Sequence, residues 1–109
     1  MDELTIVWTL TALKQRNQVF KYWNLRNNSN AYSKRLNLKI KEKTTLLKDF
    51  PEMGNPTEKQ NLRKINLEHF SIFYKVFNYK IIIVAFWDNR QDPKTLLKFL
   101  KNAKTKSKF

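Results

Sequence analysis

The clearest pattern of apolar and polar positions lies between residues 70 and 88, and it predicts a β-hairpin. Alternate residues from Phe70 to Val76 are apolar, which is the period of two that is typical of a strand. Residues 81–87 are apolar on both parities, as expected for a central strand that is covered on both faces. Residues 77–80 leave room only for a tight turn, in which Asn78 tolerates a left-handed backbone.

The N-terminal half predicts a short strand at residues 4–8 and two amphipathic helices. Thr9 or Thr11 can cap the first helix, which we expect to run to about Arg26. A polar turn at residues 27–30 leads into a second helix at residues 31–50, and so short a connection makes the pair an antiparallel helical hairpin. The second helix has an apolar stripe, formed by Tyr32, Leu36, Ile40 and Leu47.

The C-terminal half predicts a loop, three strands and a last short helix. Pro51 ends the second helix, residues 52–59 form a loop, and residues 62–67 form the strand before the hairpin. Leu96, Leu97 and Leu100 fit a short C-terminal helix, followed by a frayed tail at residues 102–109. The order β-α-α-β-β-β-α predicts an α+β fold, with the helical hairpin on one face of an antiparallel sheet. We expect one domain over residues 1–109, with the other face of the sheet partly open.

The charge balance predicts a polyanionic or acidic partner. The chain carries 22 Lys and Arg against 9 Asp and Glu, a formal net charge of +13. Such a chain is attracted to nucleic acid, to an acidic protein or to an anionic membrane. No apolar run approaches the ~20 residues that span a bilayer, and the N-terminus does not resemble a signal peptide. We therefore expect a cytoplasmic protein that does not bind a membrane.

Candidate catalytic residues are few. With one histidine, one glycine and no cysteine, the sequence predicts neither a metal site nor a cofactor, because a phosphate-binding loop needs several glycines. Metal-free RNA cleavage remains open, since side chains can move the proton of a 2′-hydroxyl and neutralise the developing charge. The predicted open face presents basic and polar side chains but no obvious proton-transfer pair: Lys64, Asn66, Ser71, Phe73 and Lys75, with Arg90 at the rim. Arg90 also has a structural alternative, a hydrogen bond to the turn carboxylates Asp88 and Asp92.

Three segments of the sequence belong together: the aromatic pair Tyr22-Trp23, the helix end and loop at residues 47–54 (LKDFPEMG), and the strands at residues 62–65 and 72–76 followed by Arg90-Gln91-Asp92-Pro93. In their order and spacing they resemble the RelE/ParE superfamily of toxins from bacterial type II toxin–antitoxin modules. The resemblance implies a small basic toxin that a cognate acidic antitoxin holds inactive in a hetero-oligomer.

The superfamily divides by target, and the resemblance leaves two targets open. RelE-like members cut mRNA on the ribosome, whereas ParE-like members inhibit DNA gyrase. Lys64 matches a basic position of the RelE-like pattern, but Asn66 and Ser71 stand where basic residues are expected. The long basic helical hairpin is more ParE-like, so we favour a gyrase inhibitor that acts by binding.

The alternatives are a ribosome-dependent ribonuclease using Lys64, Lys75 and Arg90, a non-toxic nucleic-acid-binding module, and a family member that has lost activity. The residues expected to contact the target or the antitoxin are Tyr22, Trp23, Arg35, Lys39, Arg63, Phe73, Asp88 and Arg90.

Overall fold

The computed structural model describes residues 3–90, which form two helices packed on one face of a five-stranded sheet. The elements are β1 (Thr5–Trp8), α1 (Leu10–Asn27), α2 (Ala31–Asp49), β2 (Asn55–Pro56), β3 (Arg63–Leu67), β4 (Phe70–Phe77) and β5 (Lys80–Asp88). The strand order is β1-β5-β4-β3-β2. Pairing is antiparallel except between β1 and β5, which run parallel. The α+β class and the helical hairpin are confirmed, and the predicted C-terminal helix lies outside the described residues.

Polar side chains define the helix boundaries, as the sequence predicts. Thr9 is the N-cap of α1, and its hydroxyl accepts the Ala12 N–H at 3.1 Å. Asn28 adopts a left-handed backbone (φ 50°) at the end of α1, a conformation that asparagine tolerates better than most residues. The Ser29 hydroxyl then accepts the Ala31 N–H at 3.1 Å. These contacts satisfy backbone groups that each helix end leaves unpaired.

The main core lies between the helices and the sheet. From α2, Leu36, Ile40 and Leu47 are at most 1% exposed, which confirms the predicted stripe. They pack with buried residues of β3, β4 and β5 that share the same face of the sheet: Ile65, Leu67, Phe70, Ile72, Tyr74, Ile81, Ile83 and Phe86. Tyr32, the first residue of the predicted stripe, is only partly buried at the margin of this core.

A β-bulge in β5 decides which side chains face the helices. Phe73 pairs with Ala85 and Tyr74 pairs with Ile83, so Val84 is an extra residue in β5. An extra residue reverses the alternation of side chains beyond it. Phe86 and Asp88 therefore face α1, and Trp87 faces the opposite side.

The face opposite the helices differs from the prediction of a partly open polar surface. Ser71 is 1% exposed and Phe73 is 4% exposed, so the expectation that both stand on an open face is wrong. The physical reason is that β5 places Ala85 and Trp87 on this face, where they form a second hydrophobic cluster with Phe73 and Leu62. Asn66 is exposed, as predicted.

The loop after α2 is anchored to the sheet by the hydroxyl group of Tyr74. This hydroxyl donates to the Pro51 carbonyl at 2.8 Å and accepts the Gly54 N–H at 2.9 Å. A Cβ atom on Gly54 would lie 2.6 Å from the same oxygen, so only glycine permits this approach. The anchored chain continues into β2, which pairs with β3. The prediction of loop throughout residues 52–59 is therefore wrong at residues 55–56, because the anchor holds them against the edge of β3.

Burial raises the pKa of Tyr74, which keeps its hydroxyl group protonated and able to donate to Pro51. We predict that Tyr74→Phe lowers the free energy of unfolding by about 1–3 kcal/mol, because it leaves a buried N–H and C=O without their partner. Urea unfolding at neutral pH measures the change. The matched control is Tyr22→Phe, whose hydroxyl is on a side chain that is 54% exposed. Equal effects of the two substitutions would contradict the anchoring role.

Candidate functional site

A cleft lies between α1 and the end of β5, and its volume is about 580 Å³. It combines aromatic, amide and charged side chains. Its lining residues are Gln15, Gln18, Val19, Tyr22, Trp23, Arg26, Phe86, Trp87, Asp88 and Arg90. Gln15 has a structural role as well, because its Oε1 accepts the Phe86 N–H at 2.9 Å.

Trp23 is the centre of an aromatic and cationic cluster at the mouth of the cleft. Its ring lies 5.2 Å from the ring of Tyr22 and 5.2 Å from the ring of Tyr32, measured between centroids. The guanidinium groups of Arg26 and Arg90 lie 5.7 Å and 5.4 Å from the Trp23 centroid. These distances are within the range of cation–π attraction, so Trp23 holds two arginines beside the cleft.

Arg90 is held on its other side by Asp88. Its Nε and NH2 donate to the two carboxylate oxygens of Asp88 at 2.9 and 2.7 Å, and its backbone N–H donates to the same carboxylate at 2.9 Å. The hydrogen bonds from Arg90 lower the pKa of Asp88, and the carboxylate in turn raises the pKa of Arg90. The structural role that the sequence left open for Arg90 is therefore present in the fold.

A row of charged side chains on α2 continues this cluster past Tyr32. The Arg35 guanidinium lies 5.8 Å from the Tyr32 centroid, and Lys39 Nζ lies 3.0 Å from Glu68 Oε1. Burial raises the pKa of Tyr32, and Glu68 adds to this effect, while the nearby cations Arg90, Lys39 and Arg35 oppose it. Tyr32 is therefore close to charged groups from three parts of the chain: α2, the residues that follow β5, and the β3–β4 turn.

Six of the eight predicted partner-contacting residues converge on this surface: Tyr22, Trp23, Arg35, Lys39, Asp88 and Arg90. Arg63 and Phe73 lie elsewhere. Arg63 NH1 donates to the Gly54 carbonyl at 2.7 Å, and Phe73 belongs to the second hydrophobic cluster. The structure gives Arg63 and Phe73 packing roles at the loop and in the sheet.

The three candidate catalytic residues are not brought together. Lys64 pairs with Phe73, and Lys75 lies two residues farther along β4, so both lie on the face opposite the helices. The Arg90 guanidinium contacts Trp23 and lies 5.9 Å from the Phe70 centroid on the helical side. The sheet itself separates Arg90 from the two lysines.

Several residues of the site are absent from the sequence-based set, among them Arg26, Tyr32 and Gln15, and these three differ in how far the sequence indicates them. Arg26 follows Trp23 by three residues and Tyr22 by four, a spacing that places all three on one helical face. That spacing was enough to predict that Arg26 lies beside the aromatic pair. Tyr32 is the first residue of the apolar stripe of α2, so the sequence predicts that it belongs to the core. Nothing in the sequence indicates that Gln15 reaches the backbone of β5.

Two further properties concern residues 3–90. Over this range, no group of three or more histidine, cysteine, aspartate or glutamate side chains is placed to hold a metal ion. Neither helix of the same range is long and apolar enough to cross a membrane.

Comparison with known proteins supports the family resemblance. A family model described as the ParE toxin of a type II toxin–antitoxin system, parDE, matches residues 6–93. A solved structure described as the chromosomal ParDE TA system from P. aeruginosa is similar, with a TM-score of 0.67 and 19% sequence identity. The similarity covers 77% of this chain and 94% of that chain, and at this identity it shows the fold alone. No curated protein matches the chain.

The ion pair between Asp88 and Arg90 generates a pH-dependent prediction. A carboxylate whose pKa is lowered by folding stabilises the protein above its unfolded pKa, and this contribution is lost as the pH falls through the folded pKa. We expect a double-mutant cycle of Asp88→Asn and Arg90→Ala to give a coupling energy of at most about 1 kcal/mol near pH 7, since Arg90 is partly exposed and solvent screens the pair.

The same cycle repeated by urea unfolding at successively lower pH should give a coupling energy that falls towards zero below the lowered pKa of Asp88, where the folded carboxyl group is protonated. A coupling energy that is unchanged at acid pH would mean that the ionised carboxylate does not hold Arg90.

Proposed function

The chain belongs to the ParE toxin family of type II toxin–antitoxin systems, and from this premise we propose that it inhibits DNA gyrase by binding and is neutralised by an acidic antitoxin. The observation that carries the proposal is the position of Arg90. Its guanidinium is engaged by Asp88 and Trp23 on the helical side of the sheet, away from Lys64 and Lys75. A ribonuclease of the kind considered above needs these three cations around one phosphate.

The surface around Trp23 supports the antitoxin half of the proposal. Tyr22 and Leu25 are 54% and 74% exposed, and the exposed cations Arg26 and Arg35 lie beside the aromatic cluster. A segment with acidic side chains and apolar anchors would match both features. Disordered segments that fold on binding suit such a long surface, because many contacts offset their loss of conformational entropy.

The proposed complex is a hetero-oligomer of toxin and antitoxin in the cytoplasm, without a cofactor. The net charge of +13 would speed encounter with an acidic antitoxin, since complementary charge mainly raises association rates. Apolar anchors in the cleft beside Trp23 would then limit dissociation, because well-buried aromatic contacts supply most of the affinity of an interface.

We predict that the purified toxin inhibits DNA supercoiling by gyrase and leaves both free RNA and ribosome-bound mRNA intact. The physical reason is that the two lysines and Arg90 lie on opposite sides of the sheet. Supercoiling assays and primer extension on programmed ribosomes measure the two activities in parallel. The control is the doubly substituted Lys64→Ala, Arg90→Ala protein. Cleavage of mRNA by the wild type that this double substitution abolishes would establish the ribonuclease instead.

A second prediction concerns the rates of antitoxin binding. Raising the salt concentration should slow association strongly, because exposed charges more than about 8–10 Å apart are screened near physiological ionic strength. Dissociation should change much less. Surface binding of the cognate antitoxin across a salt series measures both rates.

The matched variants are Arg35→Gln, beside Tyr32, and Lys41→Gln, an exposed lysine on another side of α2. We expect the Arg35 substitution to slow association several-fold more than the Lys41 substitution, since close charges contribute most to steering. A dissociation rate that rises steeply with salt would mean that ion pairs, and not apolar anchors, supply most of the affinity of the complex.

A further inference from the structure

The end of the molecule opposite the cleft exposes a second apolar surface. It is formed where α2 ends, where β4 turns into β5, and in the loop between α2 and β2. Its members, which we call the apolar end, are Leu46, Phe50, Met53, Val76 and Tyr79, each 40–62% exposed. Their exposed apolar area is on the order of 500 Å², about half of it from Phe50 and Tyr79, a size at which a surface patch on a monomer often has a function.

Contacts across this end hold its parts together as one surface. Tyr74, two residues before Val76, fixes the loop through Pro51, and Pro51 and Val76 line the same hollow. The Thr5 N–H donates to the Tyr79 carbonyl at 3.1 Å, which ties the β4–β5 turn to the start of β1. The apolar end is therefore preformed by the fold.

The backbone conformation at Tyr79 is unfavourable for a tyrosine in the monomer alone. Asn78 and Tyr79 both have positive φ, at 53° and 62°, as in the tight turn that favours Asn-Gly. A residue with a large side chain is strained at such a φ. Tyr79 is also 62% exposed, so its ring gains little burial in return. Glycine would fit the turn better, and a contact outside the monomer would explain an aromatic side chain there.

The charges around the apolar end identify the kind of partner. Glu3 Oε1 lies 3.3 Å from Lys48 Nζ, Asp49 and Glu52 lie beside Phe50 in the sequence, and Lys80 follows Tyr79. Glu52, Lys59 and Arg63 line the hollow that Pro51 and Val76 share. In a two-fold dimer the same patch on each copy forms the interface, so a self-complementary patch must carry both positive and negative charges. The surface around Arg26 and Arg35 is predominantly basic and would repel its own copy, whereas this end would not.

We propose that the apolar end is a self-association surface, through which two copies of this chain form a two-fold dimer with the clefts at its far ends. An apolar area of roughly 500 Å², together with its polar rim, approaches the about 800 Å² that each partner buries in a stable interface of standard size. The proposal is independent of the toxin's target, because it concerns the opposite end of the molecule from the cleft.

The test is the mass of the full chain in solution as a function of concentration, measured by sedimentation velocity. The wild type should shift from the monomer mass of 13.2 kDa towards twice that value as concentration rises. Higher salt should strengthen the association, because it screens the repulsion between two copies of net charge +13. Antitoxin binding should respond to salt in the opposite direction.

Tyr79→Gly separates association from folding. It relieves the strained turn, so the variant should unfold at the same or a higher urea concentration, yet it should weaken the dimer at least about tenfold. The matched control is Leu25→Ser, since Leu25 is 74% exposed near the opposite end, and it should leave the dimer unchanged.

Two results would overturn the proposal. One is a wild-type chain that stays monomeric at every concentration and salt level. In that case, a loss of toxicity in Tyr79→Gly would assign the surface to a different protein. The other is a Leu25→Ser variant that weakens the dimer as much as Tyr79→Gly does.

Discussion

The structure depends on how the backbone of β5 is paired beyond the end of β1. β1 pairs with β5 only as far as Ile83, so the rest of that edge of β5 needs other hydrogen-bonding partners. α1 supplies them directly after β1 ends. The Thr9 N–H donates to the Ile83 carbonyl at 3.1 Å, and Gln15 Oε1 accepts the Phe86 N–H at 2.9 Å. These bonds fix α1 along β5, and the cleft lies between α1 and the end of β5.

The bulge at Val84 completes this arrangement. Without the extra residue, Trp87 would face α1, and Phe86 and Asp88 would face the other side. With the extra residue, Asp88 holds Arg90 against Trp23. The Trp23 ring then contacts the guanidinium groups of both Arg26 and Arg90. The same bulge places Trp87 beside Phe73, which gives the second face of the sheet a hydrophobic cluster of its own. A single inserted residue therefore shapes both faces.

The two ends of the molecule differ in electrostatic character, and the fold explains the difference. The α1–α2 turn and the end of β5 bring together cations and aromatic rings, including Arg26, Arg35 and Arg90. The opposite end combines exposed apolar side chains with charges of both signs. Because α2 runs from one end to the other, a partner at one end leaves the other accessible.

The sequence alone determined the local structure, because periodicity, proline and capping residues act within a few positions along the chain. The two helices, the hairpin with its left-handed Asn78, the buried stripe at Leu36, Ile40 and Leu47, and the basic character all follow from such signals. The family model matches residues 6–93, and these local features lie within that match.

Tertiary structure decided the features that join distant parts of the chain. Residues 81–87 are apolar on both parities, so the sequence could not show where the bulge lies or which face Asp88 takes. It likewise could not show that Gln15 reaches Phe86, 71 residues away, or that Lys64 and Arg90 lie on opposite sides of the sheet. Side-chain alternation is a local property, whereas strand register and the partners of an edge are set only when the strands and helices pack together.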